Sequence, residues 1–93
     1  MSLVSTPLQL GALRGAIYDF PEVGDLLPMH EHTLESAHIT IVTRGTLRAR
    51  GDGWEMLLKP GPVYDWVPGQ RHEFEALEAG ARVVNIIKGI DPK

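Results

Sequence analysis

Residues 28–45 read PMHEHTLESAHITIVTRG, and this segment holds three of the four histidines of the chain, His30, His32 and His38. If it forms a β-strand, side chains alternate between two faces, so His30 and His32 share one face and Glu31 takes the other. Neutral imidazole is a common ligand of first-row transition metals. Two imidazoles on one face can reach the same ion, so the segment is a candidate metal site, with surface or hydrogen-bonded core histidines as the alternative.

His38 and the fourth histidine, His72, each open a strand-like run. In HITIVT, alternation places His38 on the same face as Thr40. In HEFEAL, alternation separates His72 from Glu73 and Glu75, which take the opposite face. A barrel that brings the ends of these runs to one mouth gathers all the histidines of the chain. The predicted metal ligands are His30, His32, His38 and His72.

The rest of the chain predicts an all-β sandwich or barrel. Ten glycines and seven prolines separate short runs that are rich in apolar and β-branched residues and show no sustained helical period. The runs are LQLGAL, AIYDF, HITIVT, TLRAR, WEMLL, PVYDWV, HEFEAL and RVVNII. TLRARGDGWEMLL predicts a hairpin, since Gly51, Asp52 and Gly53 can take positive φ. A short helix in EALEAGAR, ended by Gly80, is an alternative for that segment.

Composition narrows the classes of function. The length of 93 residues predicts a single domain, 1–93. The net charge is −3 and the basic residues are scattered, with Arg48 and Arg50 on the solvent side of a strand, so nucleic acid is not an expected partner. No run approaches the ~20 apolar residues of a membrane span. The chain has no cysteine, which excludes disulfides and thiolate ligands.

Location and assembly follow from the same features. MSLVSTPLQL lacks the basic and long apolar regions of a signal peptide, and the absence of cysteine suits a reducing compartment, so we expect a cytoplasmic protein. A barrel this small leaves sheet edges and apolar faces such as VVNII to cover, which predicts a homodimer.

The histidine pattern resembles the two motifs of the cupin superfamily. The first motif, G-x5-H-x-H-x3–4-E-x6-G, is similar to the arrangement of Gly24, His30, His32, His38 and Gly45, with His38 in place of the glutamate. The second, G-x5-P-x-G-x2-H-x3-N, is loosely matched by GPVYDWVPGQRHEF, residues 61–74. The resemblance covers about residues 15–88. It implies a small double-stranded β-helix, or jelly-roll barrel, of the RmlC-like type.

The match to these motifs has departures. Five residues separate His32 from His38 where three or four are usual, so Glu35 is an alternative to His38 as a ligand. Pro68 lies one position closer to His72 than usual, and Ala76 stands where the second motif ends in asparagine. Cupin ligands usually occupy part of an octahedron and leave two positions for water or substrate, which implies manganese, iron, nickel or zinc.

Three functions remain open on the sequence. A four-histidine metal site predicts a metal-dependent enzyme, dioxygenase-like or a lyase or isomerase, that acts on a small polar molecule. The shortness of the chain favours instead a non-catalytic metal-containing module that binds a small ligand or a partner protein. In the third possible function the protein holds no metal, and the histidines line a polar pocket. The aromatic residues are expected in core or dimer packing, with a pocket lining as the alternative: Tyr64, Trp66, Trp54 and Phe74. Arg71 is expected on an exposed turn.

Overall fold

The chain folds into two antiparallel β-sheets in the computed structural model, which describes residues 3–11, 13–30, 35–66 and 71–89. The described residues contain nine strands and no helix. The strands are β1 (Val4–Leu10), β2 (Leu13–Phe20), β3 (Leu26–His30), β4 (Glu35–Arg44), β5 (Leu47–Gly51), β6 (Trp54–Leu58), β7 (Val63–Trp66), β8 (His72–Ala76) and β9 (Ala81–Gly89). The all-β prediction is confirmed.

The strand order shows a jelly-roll topology. One sheet has five strands in the order β1-β2-β9-β4-β7, and the other has four in the order β3-β8-β5-β6. Only β1-β2 and β5-β6 are adjacent both in sequence and in a sheet; each of the other successive described strands lies in the opposite sheet. A chain that alternates between sheets in this way encloses its interior between them.

Alternating burial shows which side chains fill that interior. The pattern on β8 is buried at every second residue, from His72 through Phe74 to Ala76, while Glu73 and Glu75 are half-buried on the other face. The predicted alternation of this strand is therefore confirmed. The buried apolar side chains between the sheets are Phe20, Val42, Leu47, Ala49, Leu58, Trp66, Phe74, Ala76, Ala81 and Val83.

Three glycines aligned with the cupin motifs mark places where the chain leaves a strand. Gly24, Gly45 and Gly61 have φ values of 91°, 81° and 121°. Residues that carry a side chain rarely adopt a backbone conformation with φ in this positive range, so glycine is the residue that fits there. At Gly45 a Cβ atom would also lie 2.9 Å from the Cα of Ala81, which leaves no room for a larger residue.

Two sequence expectations need correction. LQLGAL is not one strand, because Gly11, with a φ of 61°, ends β1, and Leu10 pairs with Leu13 across the turn. EALEAGAR contains no helix: β8 continues to Ala76, and a turn through Gly80 leads into β9. The predicted β5-β6 hairpin is confirmed, but of its three turn residues only Gly53 has a positive φ.

Strand β3 carries an irregularity that the sequence did not indicate. Its pairing with β8 shifts register between Leu27 and His30, which brackets Pro28. Proline has no backbone N–H to give to the ladder, so a bulge is one of the few ways in which a strand accepts it. Beyond the bulge, His30 is the cross-strand partner of His72. Across the described residues, no helix is long and apolar enough to span a membrane.

Candidate metal centre

His38 lies inside the barrel on β4, the fourth strand of the five-stranded sheet. Its cross-strand partners are Trp66 on β7 and Ile87 on β9. It shares the inward face with Thr40, while Ile39 on the other face is half-buried. This is the division that alternation along HITIVT predicts, and the imidazole is 4% exposed.

His72 enters the same interior from the opposite sheet. It begins β8, is 1% exposed and lies among aromatic rings. The ring of Trp66 stacks on it with centroids 4.9 Å apart, and that of Phe74 with centroids 5.4 Å apart. Aromatic packing on this scale restricts the imidazole to a small range of orientations.

The two sheets bring His38 and His72 together. Their ring centroids are 5.1 Å apart, with the ring planes tilted by 44°. Two imidazoles bound to one ion at about 2.0–2.1 Å from metal to nitrogen have centroids about 5 Å apart when they occupy adjacent ligand positions. The spacing and the chemistry of the two donors therefore fit a shared transition-metal ion.

The other proposed ligands are described less fully. The backbone of His30 lies at the end of β3, directly across from His72 in the pairing register. His32 lies outside the described residues. Glu35, the alternative ligand, begins β4 next to a bulge between Glu35 and Ala37. The side chains of His30 and Glu35 also lie outside the description. Within the described side chains, no group of three or more metal-ligating residues surrounds one centre.

A hydrogen-bonded chain next to the histidines was not predicted from the sequence. Trp66 Nε1 donates to Thr40 Oγ1 at 2.9 Å, and Thr40 Oγ1 donates to Asn85 Oδ1 at 2.6 Å. All three residues are buried. The available signal was the lone asparagine in the apolar run RVVNII, two residues after Val83, which is buried on the same face.

The acidic residues of β8 face away from the histidines, as predicted, and pair with arginines on β5. Arg50 Nη2 lies 2.7 Å from Glu73 Oε2 and 3.4 Å from Glu75 Oε1. The side-chain hydrogen bond with Glu73 raises the pKa of Arg50, and this effect outweighs the lowering caused by burial. Arg48 and Arg50 are on the solvent side of their strand, also as predicted. These carboxylates are therefore part of the outer surface.

The remaining residues considered from the sequence take structural positions. Trp66 belongs to the buried core and Trp54 packs partly buried against it, with ring centroids 5.8 Å apart. Tyr64 Oη accepts a hydrogen bond from the backbone N–H of Lys59 at 2.9 Å. Arg71 is exposed, with Nη1 3.8 Å from Asp52 Oδ1. Pro68 and Gly69 lie outside the described residues.

Comparison with known proteins gives structural relatives only. No family model and no curated protein matches the sequence. A cupin superfamily protein from Desulfitobacterium hafniense DCB-2 superposes with a TM-score of 0.80, at 16% identity, over 97% of this chain and 79% of that one. An RmlC-like cupin from Desulfovibrio desulfuricans gives 0.79, at 22% identity, over 95% and 84%.

A third relative is an enzyme. DMSP lyase DddQ from Ruegeria pomeroyi DSS-3 superposes with a TM-score of 0.77, at 17% identity, over 98% of this chain and 49% of that one. At identities this low, the superpositions establish a shared fold and nothing finer. The likeness agrees with the two-sheet topology and with the motif resemblance. The chain therefore has the jelly-roll fold of the cupin superfamily.

Proposed function

We propose that this protein is a small metal-binding cupin in which His30, His32, His38 and His72 hold a divalent transition metal: manganese, iron, nickel or zinc. The observation that carries the proposal is the approach of His38 and His72. These two buried imidazoles come from opposite sheets and have ring centroids 5.1 Å apart. The register position of His30, across from His72, is consistent with the same set.

The donor set indicates the class of ligand. Four neutral imidazoles leave the charge of a divalent ion uncompensated, so an open position at such a site attracts an anionic or oxygen-bearing molecule. When bound, the metal supplies Lewis-acid polarisation of that oxygen. The protein residues would orient the ion, and the rings of Trp66 and Phe74, which both pack against His72, would help to exclude water from it. We therefore propose a small polar molecule with oxygen donors as the substrate.

The proposed reaction is dioxygenase-like, or that of a lyase or isomerase. Support for the lyase alternative comes from a structural relative of the same fold that is a DMSP lyase. The arrangement of two histidines and one carboxylate used by many iron oxygenases requires a carboxylate ligand. Glu35 is the candidate for this ligand, so His38 and Glu35 define the two versions of the proposed site.

A non-catalytic metal-containing module is the second candidate function. Its support is the scarcity of acid–base groups near the histidines in the part of the chain that the structure describes. Glu73 and Glu75 face outward and pair with Arg50. Asp25, although 1% exposed, accepts a hydrogen bond from the backbone N–H of Glu22 in the β2-β3 loop. A module of this kind binds a small ligand, or a partner protein, without turnover.

Metal content tests the shared part of both functions. Tag-free protein is incubated with Mn²⁺, Fe²⁺, Ni²⁺ or Zn²⁺, desalted and analysed by mass spectrometry, beside His38→Ala, His72→Ala and Glu35→Gln. We expect about one ion per chain in the wild type and near none in the two histidine variants. Arg71→Ala, an exposed change next to His72, is the matched control. Equally little metal in the wild type and the variants would refute the site.

Oxygen uptake and product formation separate enzyme from module. The metal-loaded protein is assayed with small diketones, hydroxy acids, thiols and catechols, with His72→Ala as the inactive control. Turnover that requires His72 supports the enzyme. Saturable binding of a small carboxylate without turnover across the panel supports the module.

A further inference from the structure

We infer that Thr40 and Asn85 are positioning residues of the proposed metal site and that they act on His72 through the indole ring of Trp66. The inference rests on the proposed function, because it assigns a role to residues that surround a proposed ligand. It depends on three described contacts: a hydrogen bond from Trp66 to Thr40, a hydrogen bond from Thr40 to Asn85, and the stacking of Trp66 on His72.

The two hydrogen bonds run in one direction, from Trp66 to Thr40 and from Thr40 to Asn85. The indole N–H can donate but cannot accept, so Thr40 Oγ1 accepts from Trp66. The hydroxyl has one proton, and it goes to Asn85 Oδ1, 2.6 Å away. Thr40 and Asn85 are cross-strand partners on β4 and β9, which are neighbouring strands of the five-stranded sheet. The indole is therefore tied at its nitrogen to a rigid part of the five-stranded sheet.

The tied indole also limits how the imidazole of His72 can turn. The two ring planes are only 21° apart, with centroids at 4.9 Å, while Phe74 stacks on the same imidazole with planes 20° apart. Rotation of the indole or the imidazole would break these stacks. Partners that hydrogen-bond directly to a metal ligand typically change metal affinity by about 10–100-fold when removed, so we expect a group that acts through a stacked ring to have an effect near the lower end of that range.

Thr40→Val tests the inference, because it keeps the shape of the side chain and removes the hydroxyl. Thr40→Ser, which restores the hydroxyl, is the rescue variant. Thr43→Val, the same change at an exposed position of β4, is the matched control. Asn85→Ser, which shortens the acceptor, serves as a second variant if Thr40→Val does not fold, as judged by circular dichroism.

The first measurement needs no metal. In the metal-free protein, NMR records the indole N–H of Trp66 and the ring protons of His72, which the stacked aromatic rings shift. We expect both sets of signals to move in Thr40→Val and to return in Thr40→Ser. Signals of His72 that stay unchanged in Thr40→Val would overturn the inference, whether or not the wild type binds metal.

The second measurement is the dissociation constant for Co²⁺, determined by competition with a chelator. We expect about 10-fold weaker binding in Thr40→Val, near wild-type binding in Thr40→Ser and no change in Thr43→Val. Equal affinity of wild type and Thr40→Val would overturn the inference and leave the metal site intact. A wild type that binds no metal would refute the proposed function, and the NMR result alone would then decide whether Thr40 orients His72.

Discussion

The two ends of the barrel interior differ in chemistry although the same strands build both. On three strands the inward side chains change from polar to apolar along the barrel: His38, Thr40 and Val42 on β4; His72, Phe74 and Ala76 on β8; Asn85, Val83 and Ala81 on β9. Cross-strand pairing keeps the levels matched, since Thr40 pairs with Asn85 and Val42 with Val83.

Because of this difference, we expect the apolar end of the barrel to contribute most to stability and the polar end to carry the proposed metal site. At the apolar end, burial of hydrocarbon stabilises the fold in proportion to the area removed from water. At the other end, the buried groups are imidazoles and a hydrogen-bonded chain, and burying polar groups has a cost that hydrogen bonds or a metal must offset. We expect substitutions at the two ends to affect different measurements.

The largest effect on stability is expected at the apolar side of β8. Phe74 is fully buried, and Phe74→Ala removes a ring that contacts both Trp66 and His72. Such changes cost about 3–5 kcal/mol, a large share of the roughly 5–15 kcal/mol by which a domain is stable. Urea denaturation followed by circular dichroism measures the change, with Phe74→Leu as a milder variant. A loss below about 1 kcal/mol would show that this end does not carry the stability.

The histidine end is expected to respond to metal instead. An ion present at about 100 times its dissociation constant adds about 2.7 kcal/mol to the free energy of unfolding. The melting temperature of the wild type should therefore rise with added Zn²⁺ or Ni²⁺, and that of His38→Ala should not. Arg71→Ala should rise as the wild type does. An equal rise in His38→Ala would place the bound ion elsewhere.

His72→Phe tests whether the two ends differ in role, because it makes the histidine end of β8 apolar like the rest of the strand's inward face. The new ring has a similar size and keeps the aromatic contacts, so the free energy of unfolding of the metal-free protein should fall by less than it does in Phe74→Ala. Metal binding should be lost. Denaturation and metal analysis of the same sample check both results. A large loss of stability would mean that the imidazole itself supports the fold.

The outer face of the five-stranded sheet is the surface through which we expect two chains to associate. Ile17, Val84, Ile41 and Val63 form one cross-strand row there, and Val63 is 60% exposed. We predict a homodimer that uses this face, and Val63→Lys should shift the molecular mass in light scattering from that of two chains toward that of one. A monomeric wild type at micromolar concentration would contradict the prediction.

The smallest effect is expected on the outer face of the four-stranded sheet. Arg50→Met removes the ion pairs with Glu73 and Glu75 at partly exposed positions. Water and salt reach ion pairs at a partly exposed surface and screen them, so the unfolding midpoint should move little, and less still at high salt. Metal content should not change. A large shift would show that the outer pairs matter as much as the interior.

Much of the fold was predictable because strand alternation is a local property. The faces of β4 and β8, the outward position of Glu73, and the β5-β6 hairpin follow from residue order and turn chemistry alone. The turn at Gly11 was missed because LQLGAL is apolar on both sides of it. β3 was not among the predicted runs because Pro28 and its bulge interrupt the alternation.

The sequence by itself determined the residue types of this protein: four histidines, no cysteine and short alternating runs that predict two-faced strands. Only the tertiary structure decided which of these residues meet. His38 and His72 are far apart in the chain and belong to different sheets, and their contact depends on how the sheets close. The same holds for Trp66, Thr40 and Asn85, because hydrogen bonds between strands are set by register, a property of the paired strands and not of either one alone.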